Sequence, residues 1–186
     1  MTSDFRAARL NMVESQVRTS DVTDLGVQDA MRVIAREDFT GGKAHLAYAD
    51  VEVEYEPGLY LLKPRDVAKL LQGIRPKAGE RALAICAPYA AAVLRQIGLT
   101  VTEAADAAAG AGPFDVIIAE GAVAQTPRAW TEALALGGRL AVIERAGPVG
   151  LAKLYVRSED DVGARSLFDA APPFLPGHEP RKTFAF

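Results

Sequence analysis

Between Gly79 and Gly98 the chain reads GERALAICAPYAAAVLRQIG, and this stretch leaves few folds open. The turn Lys77-Ala78-Gly79 leads into a short apolar run, Ala82 to Ala87, and a compact crossing then leads into an alanine-rich segment that stops at Gly98. That is the pattern of a buried parallel strand feeding a helix, and in an open α/β sheet ligands bind in the crevice beyond the strand's carboxyl end. Any cofactor site should therefore centre here. Glycine is missing from it: Cys86-Ala87-Pro88 stand where a nucleotide-binding turn carries two or three glycines that let the backbone approach the ligand.

The rest of the chain builds around this unit. With 186 residues, 49% of them hydrophobic, a single compact unit with a substantial core is expected. It divides into an N-terminal helical and hairpin region, 1–75, packed on an α/β core, 76–186. A net charge of -3 gives no general attraction to nucleic acid or to an anionic membrane. One cysteine and two histidines exclude a disulfide framework and offer no metal-ligand spacing, so no metal is expected. The N-terminus lacks an apolar signal region and no apolar run approaches a membrane span, so a cytoplasmic location is expected.

Within Asp4 to Arg18, Leu10, Val13 and Val17 fall on one helical face, and Phe5, Ala8 and Met12 form an adjacent row. Thr23-Asp24 starts a second helix, with Val27, Ala30, Met31 and Ile34 on one side, ending near Arg36. Val51, Val53 and Tyr55 alternate with Glu52, Glu54 and Glu56, a strand with one solvated face, and Pro57-Gly58 fits a tight turn. Pro64 opens a helix whose apolar face is Val67, Leu70, Leu71 and Ile74. Beyond Gly98, strands are expected at 99–103, 114–120 and 139–144, with a loop at 104–113, a helix at 127–136 and the Gly137-Gly138 pair closing that helix. The repeated strand-helix alternation implies a parallel, right-handed sheet. Segments 151–157 and 162–168 read as a terminal antiparallel hairpin, 172–180 as a surface wrap, and Phe184 and Phe186 as docking residues of the C-terminus.

Several segments, in collinear order over nearly the whole chain, resemble the protein-L-isoaspartate O-methyltransferase family, in particular a bacterial branch of it. They are NMVESQVR at 11–18, VTDLGVQDAMRVIAREDF at 22–39, AYAD at 47–50, FDVIIAEGAV at 114–123, GGRL at 137–140 and SLFDA at 166–170. The resemblance implies a Rossmann-like S-adenosylmethionine methyltransferase sheet, mostly parallel, with a C-terminal antiparallel hairpin and an N-terminal helical extension.

The departures bear on function. The family's strand at this place ends in an acid followed by a turn of the type E-x-G-x-G-x-G-Y. Here Ala84 takes the acid's place, Cys86 and Ala87 replace glycines, and the turn is about two residues shorter before Tyr89. Pro88 brings no N–H to the helix terminus and biases Ala87 towards an extended conformation. Glu103 matches the acid that hydrogen-bonds ribose hydroxyls in this fold, and reads equally as a surface acid at a strand end. The 104–113 segment is too short for the strand and helix that surround the adenine in the family, so one outer strand and helix should be lacking. A Ser or Thr precedes the proline matching Pro64 in active members, in the segment that addresses the substrate; this chain has Leu62-Lys63-Pro64.

Cys86, Ala87, Glu103 and Glu120 are thus vestigial cofactor-site candidates, with Leu62, Lys63 and Pro64 at the substrate segment. By its residues alone Cys86 reads better as a buried structural thiol than as a nucleophile, and Glu120 as a solvated or helix-capping acid rather than a catalytic one. Asp50 reads as a packing or capping residue, and His45 and His178 as exposed loop positions. Two functions follow. The altered motifs favour a pseudoenzyme, without a cofactor, acting as a binding or regulatory module through a protein partner or self-association. The alternative is an active S-adenosylmethionine-dependent carboxyl methyltransferase on isoaspartyl protein or another acceptor.

Overall fold

The computed structural model describes residues 2–106 and 112–181. A six-stranded sheet runs in the order β4-β3-β5-β6-β7-β8, from β3 (Arg81–Ile85), β4 (Thr100–Ala104), β5 (Phe114–Val123), β6 (Leu134–Arg145), β7 (Gly150–Arg157) and β8 (Val162–Ala170). The pairs β3–β4, β3–β5 and β5–β6 are parallel, whereas β6–β7 and β7–β8 are antiparallel. This is the expected layout of a mostly parallel sheet ending in a hairpin. β4 forms the sheet's outer edge, and among the described residues no strand lies beyond it.

Strand alternation sorts the side chains into two cores. Ala82, Ala84, Val116, Ile118, Ala141 and Ile143 face one side, where α3 (Pro64–Ile74), α4 (Pro88–Ile97) and the N-terminal helices pack. Leu83, Ile85, Ile117, Ala119, Leu140 and Val142 face the other, around Trp130 of the short α5 (Arg128–Glu132). The alanines let α4 lie close against β3, and Gly98 ends it in a left-handed conformation, φ 107°, that suits a residue without Cβ. The first core also takes in Met12, Val17, Met31 and Leu61, so it is continuous from the N-terminal helices into the sheet.

The N-terminal helix differs from its expected form. After α1 (Thr2–Met12) the winding widens to a π-turn at Val13–Val17 and tightens to a 3-10 turn at Arg18–Ser20. The wide turn offsets the faces on either side of it, so Met12, Val13 and Val17 are buried while Leu10 stays 40% exposed. Asp24 caps α2 (Leu25–Val33), accepting from the Val27 N–H at 3.0 Å. β1 (Val53–Glu56) and β2 (Leu59–Leu61) form an antiparallel hairpin around Pro57-Gly58. Its acidic row is met by cations, Glu54 by Lys43 at 3.2 Å and Glu52 by Lys63 at 3.7 Å.

The helix expected at 127–136 ends at Glu132, and the chain from Leu134 already pairs beside Phe114. The Phe114 N–H donates to the Ala133 carbonyl, and Arg157 donates to the carbonyls of Glu132 and Leu134, so the backbone finds strand-side partners where the helix stops. The 172–178 segment wraps over the end of β5, where Leu175 packs against Gly121 and donates its N–H to the Ala122 carbonyl, while the Ala122 N–H donates to the Pro173 carbonyl. Phe184, Phe186 and residues 107–111 of the expected loop lie outside the described residues.

Candidate functional site

β3 and β4 end side by side, and beyond their carboxyl ends lies an open crevice of about 300 Å³. Cys86, Ala87, Pro88, Glu103 and Ala104 line it on one side, and Tyr55, Glu56 and Leu59 of the hairpin also contribute to its lining. The floor is of small apolar residues and the acids sit at the mouth. Glu103 is paired with Arg95 at 2.6 Å.

The turn from β3 into α4 keeps a glycine-like backbone with a side chain on it. Cys86 has φ 48°, a left-handed conformation that glycine adopts freely and other residues at a cost of about 1 kcal/mol. Three contacts hold it there: its N–H donates to the Ala104 carbonyl at 2.9 Å, its thiol to the Ala105 carbonyl at 3.4 Å, and the Tyr55 hydroxyl to its own carbonyl at 3.2 Å. Cys86 is half-buried on the crevice wall rather than a fully buried core thiol, because the turn directs it outward from the end of β3. Burial, with Asp106 and Glu56 nearby, pushes its pKa up, away from thiolate chemistry.

Glu120 lies beneath the crevice, not in it. Its side chain is fully buried, which corrects the solvated alternative and keeps the helix-capping one. One carboxyl oxygen accepts the Ala90 N–H in the first turn of α4 and the other accepts the Leu62 N–H, each at 3.0 Å. Burial raises its pKa, and Arg36 and the two N–H donors oppose that rise. Arg36 is buried as well: its guanidinium lies 4.8 Å from the centre of the Tyr89 ring and donates to the carbonyls of Ala47 and Leu62. Leu62 is thus held through both its backbone groups, N–H to Glu120 and C=O to Arg36.

Leu62 and Pro64 are buried, and Lys63 is half-buried. The expected substrate segment therefore presents chiefly Lys63, which Glu52 engages. Asp50 pairs with Arg65 at 3.2 Å and His45 is exposed. His178 is not a free loop residue: its ring packs 5.3 Å from Trp130, and its Nε2 lies 3.7 Å from Asp106, which also accepts from the Trp130 indole. The ordered C-terminal wrap draws it in. Tyr55, Leu59, Arg36 and Tyr89 are the residues that the sequence did not single out. Tyr55 was legible only as a strand residue, and nothing local marks Arg36 as buried.

The α4 terminus offers little to an incoming anion. Pro88 has no N–H and the Ala90 N–H is taken by Glu120, so two first-turn donors are unavailable to a ligand. Among the described residues no group of His, Cys, Asp and Glu could hold a metal ion, and no helix is long and apolar enough to cross a membrane.

No protein-family model matches the chain. It is 33% identical to a protein-L-isoaspartate O-methyltransferase of Methylorubrum populi, over 77% of this chain and 80% of the relative. It is 32% identical to protein-L-isoaspartate O-methyltransferase 1 of Rhodopseudomonas palustris, over 90% and 82% respectively. Among solved structures it superposes on a Plasmodium falciparum protein described as a protein-L-isoaspartate O-methyltransferase, in complex with S-adenosyl-L-homocysteine. The TM-score is 0.74 at 14% identity, covering 90% of this chain and 97% of that one, a likeness of fold.

Proposed function

The chain belongs to the protein-L-isoaspartate O-methyltransferase family, and we propose that it is a member that does not hold S-adenosylmethionine in the family's mode and works as a binding or regulatory module. The α4 terminus carries this reading. Where a cofactor with a carboxylate would seek backbone donors, Pro88 supplies none and Glu120 of the same chain occupies the Ala90 N–H. The residues at the turn fit the group poorly in a second respect, since Cys86 and Ala87 put side chains where glycines leave room. No methyl-transfer step is derived for this site.

One observation favours the second reading, an active S-adenosylmethionine-dependent carboxyl methyltransferase: the crevice beside Glu103 is open, not filled by side chains. At about 300 Å³ it sits at the lower end of small-molecule sites. Calorimetric titration with S-adenosylmethionine and S-adenosylhomocysteine separates the two. No heat at millimolar ligand, with the protein folded by circular dichroism, is expected. Micromolar binding of either ligand would overturn the pseudoenzyme reading, and methylation of an isoaspartyl peptide would then establish the enzyme.

A further inference from the structure

The opposite end of the sheet carries a different surface. Two adjoining hollows, of about 510 and 200 Å³, share Gly73, Arg75 and Arg165 and run around the C-terminal turn of α3 onto β7 and β8. α3 comes down close at Gly73, where a Cβ would lie 2.8 Å from Leu167 Cδ1. Lys69, Arg75 and Arg165 line this groove, none of its lining residues is acidic, and among the described residues none of the three makes an ion pair. Arg139, also in the lining, is occupied: it pairs with Glu80 at 2.8 Å and donates to the carbonyls of Ile74 and Arg75. Between the cations lies an apolar wall at Val156, which is 38% exposed over the buried Ile74 and Leu154.

We infer that this groove is a docking surface for an acidic peptide segment of another protein, its carboxylates meeting Lys69, Arg75 and Arg165 and an aliphatic side chain covering Val156. Charge complementarity selects this occupant. On a chain of net charge -3, a groove with free cations and no carboxylate attracts acidic segments locally, while the whole molecule repels long polyanions. A nucleic acid would gain little else here. The one aromatic face in the groove, Phe168, is already covered by the Lys69 ammonium 4.6 Å from its centroid, which removes a stacking platform for bases. Bare inorganic phosphate would leave the apolar wall uncovered. The groove lies at the end of the sheet away from the crevice, so the inference does not depend on either functional reading.

Selection of a random hexapeptide phage library on the folded protein tests it, with the Arg75→Glu, Arg165→Glu double variant as counter-target. The expected result is enrichment of Asp and Glu beside Leu, Ile or Val. Synthetic peptides from the enriched set should bind the double variant at least 10-fold more weakly, weaken with added salt, and keep their affinity for a Lys77→Glu control. Enrichment without acidic residues, equal binding to the double variant, or tighter binding of a 20-nucleotide single strand than of any selected peptide would overturn the proposal. Thermal melts of the variants by circular dichroism establish that a lost affinity is not a lost fold.

Discussion

Near the end of β6, Glu144 gathers Lys153 Nζ at 2.6 Å, the Thr126 hydroxyl at 2.6 Å, the Thr126 N–H at 3.2 Å and the Tyr155 hydroxyl. Burial alone would raise its pKa, but these donors outweigh it and hold the carboxyl at about 2, below its ordinary 4.5. A carboxyl lowered on folding adds stability that is present above its unfolded pKa and lost as pH falls through the folded one. The window is therefore from about pH 4.5 down to about 2, and after solvent screening the contribution is about 1–2 kcal/mol. Urea midpoints at pH 7, 4 and 3 should fall more steeply for the native chain than for Glu144→Gln; parallel curves would refute the assignment. None of this was legible in the sequence, because Thr126, Glu144, Lys153 and Tyr155 meet only after β6 and β7 pair. Glu120 is the opposite case: its place on a strand was legible, but neither its burial nor the three further residues of β5 beyond it were.

At the scale of elements, the β3–α4 turn is where local preference and tertiary structure disagree. Cys86 keeps φ 48° although its residue type disfavours it, because Ala104, Ala105 and Tyr55 grip the turn from three sides. Cys86→Gly should relieve that conformation and raise stability by up to about 1 kcal/mol, read as a higher urea midpoint at pH 7. A lowered midpoint would mean that the thiol's contacts matter more than the backbone strain. Elements marked by strong periodicity, such as α3 with Val67, Leu70, Leu71 and Ile74, stand where the sequence puts them. The misplaced boundaries have tertiary causes. The π-turn at Val13–Val17 answers to packing against the core, and α5 is cut short because β5 and Arg157 claim the carbonyls from Glu132 to Leu134.

Over the whole molecule, one apolar cluster runs from Met12 and Met31 through Leu61 and Leu70 to Ala84 and Ile143. A boundary drawn near residue 75 divides the sequence but not this cluster, so a calorimetric melt should show one cooperative transition. Two resolved transitions would mean that the N-terminal region unfolds on its own. The two ends of the sheet also differ in charge, with Glu56 and Glu103 at the crevice and Arg75 and Arg165 at the far groove. Between them sits Glu120, which competes with any outside carboxylate for the Ala90 N–H. It is tethered to β5 and already oriented, so its effective concentration at that donor exceeds what a dissolved ligand can reach. By mass action the chain's own acid therefore holds the Ala90 N–H against a dissolved carboxylate.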